Sequence, residues 1–131
     1  MAMILRPLAI ALLCGVLVPA CAGTGTRGSS SDRYIAHAGA EINEFRYATL
    51  YSWTRVDDDH VAVWTRPGEA YLLGLRTTCL QLGLANTIAL DGFGGRVRVG
   101  MDAVIAGGVR CHIDSIRPID IAAMRGTGVA G

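Results

Sequence analysis

Cys79 and Cys111 are the residues of this 131-residue sequence with the most chemistry to offer. They stand in Thr77-Thr78-Cys79-Leu80-Gln81-Leu82 and in Val109-Arg110-Cys111-His112-Ile113-Asp114. Two chemistries are open to them. A free Cys79 near a helix start would have a depressed pKa and serve as a nucleophile, with His112 and Asp114 completing a Cys/His/Asp set. A pair of cysteines would instead be a staple. Strand periodicity separates the two. In an extended segment Val109, Cys111 and Ile113 face one way, and Arg110, His112 and Asp114 the other. A Cys79 that meets Cys111 therefore lies on the wrong side of the sheet from His112, and no C-x-x-C redox motif is present. The expectation is a Cys79–Cys111 disulfide and no catalytic residue.

The second cluster is Asp57-Asp58-Asp59-His60. Three carboxylates and an imidazole are hard-cation and borderline ligands respectively. However, the spacing lacks the EF-hand pattern and its glycine pivot, and neighbours in a turn point different ways. Aspartates also favour turns in their own right, because their carboxylates bond nearby backbone N–H groups. Asp57, Asp58, Asp59 and His60 are therefore weak metal candidates, and no metal or other cofactor is assigned. Asp91-Gly92-Phe93-Gly94-Gly95 lacks both the G-x-G-x-x-G order and a following Lys, which argues against a phosphate loop.

These residues need elements to hold them. Phe45-Arg46-Tyr47-Ala48-Thr49-Leu50-Tyr51-Ser52-Trp53 reads as a strand, with Phe45, Tyr47, Thr49, Tyr51 and Trp53 on one face. That face is either the inside of a sheet or a platform for a small ligand. The aspartate cluster makes a hairpin turn into Val61-Ala62-Val63-Trp64. Arg66-Pro67-Gly68-Glu69 reads as a type II turn. The near-continuous apolar run Ala70-Tyr71-Leu72-Leu73-Gly74-Leu75 marks a central strand. Thr77 or Thr78 would cap one or two helical turns through Leu84. Asn86–Leu90, Arg96–Val99, Asp102–Ile105 and Val109–Ile113 follow as strands, the last two joined at Gly107-Gly108. Pro118 and Asp120 end the pattern. The fold expected is mainly β (or α+β), a small antiparallel curved sheet or barrel with one short helix and one disulfide.

The address is written at the N-terminus. Arg6 is followed by the apolar run Leu8–Val18 and then Pro19-Ala20-Cys21, a secretory signal too short to serve as a membrane span. Val18-Pro19-Ala20-Cys21 resembles a bacterial lipobox, in which the cysteine is lipidated; Ala20-Cys21-Ala22 also offers a cut after Ala22 that would release a soluble protein. The organisation expected is a signal peptide over 1–20, lipidated Cys21 and a flexible tether over 21–33, a compact β domain over 34–121, and a flexible tail over 122–131. Lipid at Cys21 would anchor the domain to the outer membrane on its periplasmic side, since each buried methylene contributes about 0.8 kcal/mol. Export also accounts for the cysteines. Cys14 leaves with the signal, Cys21 is lipidated or removed, and two remain to pair in an oxidising compartment. Closing that loop contributes roughly 3.7 kcal/mol on the chain-entropy scale.

All twelve basic residues are Arg, set against eleven acids. With Arg6 removed the charges balance, leaving no field to attract nucleic acid. Arg96, Arg98 and Arg110 read as a solvated strand face, with an acidic partner as the alternative.

Several segments together resemble a known family: lipobox-like Cys21, Phe45-Arg46 leading to Trp53, Val61-Ala62-Val63-Trp64, Ala70-Tyr71-Leu72-Leu73, Cys79 with Leu82, and the closing Cys111-His112-Ile113 with Ile116-Arg117-Pro118-Ile119-Asp120. The likeness, over about residues 34 to 121, is to small bacterial envelope lipoproteins classed as a domain of unknown function. It implies an envelope address and a disulfide, and no activity. The function expected is a lipid-anchored periplasmic accessory or binding domain without catalysis, its partners the membrane and an envelope protein. The alternatives are a hydrolase or metal-binding protein using Asp57–Asp59, His60, Asp102 or His112, and a small-ligand carrier using the aromatic face.

Overall fold

The computed structural model describes residue 15 and residues 30–127. The expected signal peptide, Cys21, most of the tether and the last four residues lie outside the described residues. The described chain is mainly β: a curled six-stranded antiparallel half-barrel, two short helices and one disulfide. In order it runs α1 (Ser30–Ala36), β1 (Glu44–Arg46), β2 (Ser52–Arg55), β3 (His60–Arg66), β4 (Glu69–Leu75), a 3-10 turn (Leu80–Gly83), β5 (Ile88–Asp91), β6 (Arg96–Arg98), β7 (Ala103–Ala106), β8 (Val109–Ile119) and α2 (Ile121–Thr127).

The sheet order is β2-β3-β4-β8-β7-β5, with β1 and β6 forming a separate two-stranded ribbon. β4 is central, as its apolar run requires, with β3 on one side and β8 on the other. β8 is the hinge of the sheet. Its first half, Val109 to His112, pairs with β7. Its second half, Ile113 to Ile119, pairs with β4. Between Gly74 and Leu75 the register slips, because Ser115 faces Gly74 while Ile113 faces Leu75. Asp114 is the extra residue of this bulge, and such an insertion bends a strand and increases its twist.

The two faces of the sheet are covered differently. One packs Val61, Val63, Leu73, Leu75, Cys111, Ile113 and Ile116 into the main core, closed by Phe45 and Val97 of the ribbon and by Cys79 and Leu82. The other carries Val56, Ala62, Leu72 and Ile119 under Ile121 and Met124 of α2, with Tyr34 of α1 and Trp64 beside them. Tyr34 meets Trp64 edge-on, ring centroids 5.8 Å apart.

Five local expectations are corrected. The 45–53 segment is not one strand: β1 and β2 are separated by bends, Phe45 is buried and Tyr51 is 62% exposed. β1 pairs with β6 and β2 with β3, so the segment crosses from ribbon to sheet; Phe45, Tyr47 and Trp53 still pack on the main core, while Tyr51 leaves it. Phe45 instead stacks on Tyr71 at 4.4 Å, filling the core where a carrier would need a cavity. Gly68 does not adopt the positive φ that a type II turn requires. The 3-10 turn is entered from Cys79 without a side-chain cap, so neither Thr77 nor Thr78 caps it. From Pro118 to Thr127 the chain is structured: β8 runs to Ile119, and α2 buries Ile121 and Met124 where a frayed tail was expected. Asp120 starts that helix by accepting the Ala123 amide at 3.0 Å, an N-terminal cap of the ordinary aspartate kind. α1 likewise begins within the expected tether.

Candidate functional site

The disulfide is formed. Cys79 and Cys111 are bonded with Cα atoms 6.0 Å apart, and both are buried. Cys111 and Ile113 point into the core and His112 and Asp114 out, as the period of two predicts. No thiol enzyme can be built here, because neither sulfur is free. His112 contributes its carbonyl to the Arg76 amide at 2.9 Å. The Asp102 carboxylate accepts the Arg98 amide at 2.7 Å. Arg96 and Arg98 both face Glu44, at 3.9 and 3.7 Å, and Arg110 pairs with Asp91. Arg96 and Arg98 are thus matched to an acid on the paired strand β1, and Arg110 to an acid on β5, across β7.

The aspartate turn between β2 and β3 is the one sequence-predicted cluster whose members converge. His60 Nδ1 lies 2.9 and 3.0 Å from the two Asp57 carboxylate oxygens and 2.9 Å from Asp59 Oδ1. Carboxylate acceptors at Nδ1 favour the neutral tautomer with its proton on Nδ1 and its lone pair on Nε2. The Asp59 amide donates to Asp57 Oδ1 at 3.0 Å. Asp58 does not join: it turns outward to Arg55. Burial pushes the Asp57 carboxyl up, but its bonds to the Asp59 side chain, the Asp59 amide and His60 outweigh this and hold it below its usual range.

Backbone bonds fix this turn. The Val56 and Asp57 amides donate to the His60 carbonyl, the Leu75 amide to Asp59 and the Cys79 amide, at 2.7 Å, to Asp58. The turn is therefore tied to the end of β4 and to the disulfide. Ligand atoms of Asp57, Asp59 and His60 lie within 4.8 Å of one another, which would suit a divalent cation. The three also satisfy each other within a hydrogen-bonded turn, and this alone assigns no metal.

Strand register then adds a residue that spacing along the chain does not reveal. His60 faces Gly74 across β3–β4, and Gly74 faces Ser115 across β4–β8. Gly74 has no side chain, so its two neighbours approach over it. A Cβ at Gly74 would lie 2.2 Å from Ser115 Oγ and 3.7 Å from His60 Nε2. The hydroxyl thus crowds the place of the missing methyl group, and the imidazole lies at its border. These residues line a groove of about 270 Å³ with Ile35, Leu72 and Arg117. Arg117 also lies 3.5 Å from Glu41. The signal for Ser115 was a glycine within a central strand, which marks a close approach, but only the register says what approaches.

The chain matches the model of a family described as "Family of unknown function (DUF6491)" over residues 3–129. It belongs to that family. No match is found among curated proteins or among solved structures. Membership agrees with the resemblance read from the cysteine and Tyr-Leu-Leu segments, to a family without an assigned activity.

Proposed function

We propose that this chain is an exported accessory module of the bacterial envelope, held at the periplasmic face of the outer membrane by lipid on Cys21. The observation that carries the reading is the buried Cys79–Cys111 disulfide. Such bonds form and persist in oxidising compartments, which a chain of this kind reaches by export. The apolar run Leu8–Val18 and the small-residue exit to Cys21 supply the export signal in the sequence. Among the described residues no helix is long and apolar enough to cross a membrane. Gly23 to Ser29 would then space the folded domain from the bilayer.

Mass spectrometry of the protein extracted from bacterial membranes tests the anchor. The expected mature chain starts at Cys21 and carries a diacylglyceryl group. A soluble, unmodified chain starting at Gly23 would overturn it. Crosslinking of the anchored form in intact envelopes would then identify what the module contacts.

A further inference from the structure

From the register that brings His60 and Ser115 together over Gly74, we propose that the groove between α1 and the β3–β4–β8 face is a hydrolytic site for esters of short acyl chains. Ser115 is its nucleophile, His60 its base and Asp57 the residue that orients the base. The proposal goes beyond the anchored module, which concerns address, and either can fail without the other.

Nucleophilic acyl transfer requires a hydroxyl, a base that can take its proton, and a group that fixes the base. Both Asp57 oxygens lie within 3.0 Å of His60 Nδ1, which orients the ring and leaves Nε2 as the acceptor. Nε2 and Ser115 Oγ both border the place that a Gly74 side chain would take, 3.7 and 2.2 Å from its Cβ position. The two are not hydrogen-bonded in this structure. In unliganded sites such contacts are commonly long and close when substrate binds. The aspartate turn is fixed by four backbone bonds, so the base is held on a rigid support. Arg117 lines the same groove, 3.5 Å from Glu41, and its positive charge would favour a carbonyl oxygen that becomes negative there. Ile35 and Leu72 give the groove apolar walls. Its volume is below the usual range for drug-sized ligands, which fits a short acyl group.

The chemistry balances without a further reactant except water. Ser115 Oγ bonds to the carbonyl carbon as its proton passes to His60 Nε2. The carbon–oxygen bond to the alcohol breaks, and the alcohol takes that proton. Water, deprotonated by Nε2, then attacks the acyl-serine, releasing the carboxylic acid and returning the proton to Ser115.

A fluorophosphonate probe tests this on the oxidised, folded protein. Its phosphorus would bond to Ser115 Oγ with loss of fluoride, and peptide mass spectrometry would locate the adduct. Wild type should be modified at Ser115 and should hydrolyse p-nitrophenyl acetate. His60→Asn should slow the modification by about 100-fold or more, the size of a general-base contribution. His112→Ala, on the exposed side of β8, should not change it. For Asp57 as a positioning residue, Asp57→Asn should slow modification and alter its pH profile, and Asp57→Glu should recover part of the rate at similar thermal stability. Lack of adduct on folded wild type overturns the proposal with no variant needed. Modification that persists in His60→Asn, or ester hydrolysis that persists in Ser115→Ala, overturns it as well.

Discussion

Asp57 and Tyr71 are two of the residues whose surroundings make stability depend on pH. At Asp57, burial raises the carboxyl pKa, but bonds to Asp59 and His60 lower it more. The folded state therefore favours the ionised form. That contribution is present above the unfolded value of 3.8 and is lost as pH falls through the lower folded value. Asp57→Asn should reduce stability at neutral pH and flatten its decline below about pH 4, which urea titrations at the two ends of this range would measure. Tyr71 shifts the other way. Burial first, then its bond to Glu69 and the charge of that residue, push it up from 10.0 to about 12. The neutral phenol is favoured by folding, so its contribution is present below 10.0 and lost as pH rises through the folded value. Tyr71→Phe should remove that part of the alkaline destabilisation, visible as a smaller drop in melting temperature between neutral pH and about pH 11. It should keep the ring stack on Phe45.

At the scale of elements, the β7–β8 hairpin and α2 carry the most direct tests. Gly107 and Gly108 have φ of +56° and +78°, the pair of positive angles that a type I′ turn requires. A side chain at Gly107 is strained whatever space it finds, and Gly107→Ala should cost about 1–2 kcal/mol in denaturant unfolding. α2 is held by the burial of Ile121 and Met124 against Ala62, Leu72 and Ile119. Met124→Ala should cost about 2 kcal/mol or more by removing those contacts. The expected readout is a lower urea midpoint, with faster amide exchange in the residues of α2.

For the whole molecule the disulfide is the dominant local constraint. It ties the exit of β4 to β8 across a sequence separation of 32 residues. Replacing both cysteines by serine should cost about 3–4 kcal/mol, a large fraction of the 5–15 kcal/mol typical of a domain. Reduction of the wild-type protein should lower its melting temperature to a similar degree, whereas a small change would mean that the main core carries the fold by itself.

Local chemistry is what the amino-acid sequence determined on its own. The alternation of Cys111 and Ile113 with His112 and Asp114, the turn-forming aspartates, the Gly107-Gly108 hairpin and the unbroken apolar run of β4 are properties of near neighbours, and each appears as expected in the described chain. The tertiary structure decided what non-local pairing controls. It split Phe45–Trp53 between two sheets, because β1 finds β6 and β2 finds β3. It extended β8 through Pro118, because one half pairs with β7 and the other with β4. It also ordered α2, because Met124 gained an apolar face to cover. Ser115 shows the reason most clearly. It lies 55 residues from His60 in the chain, and only the registers through Gly74 bring the two side chains over one groove.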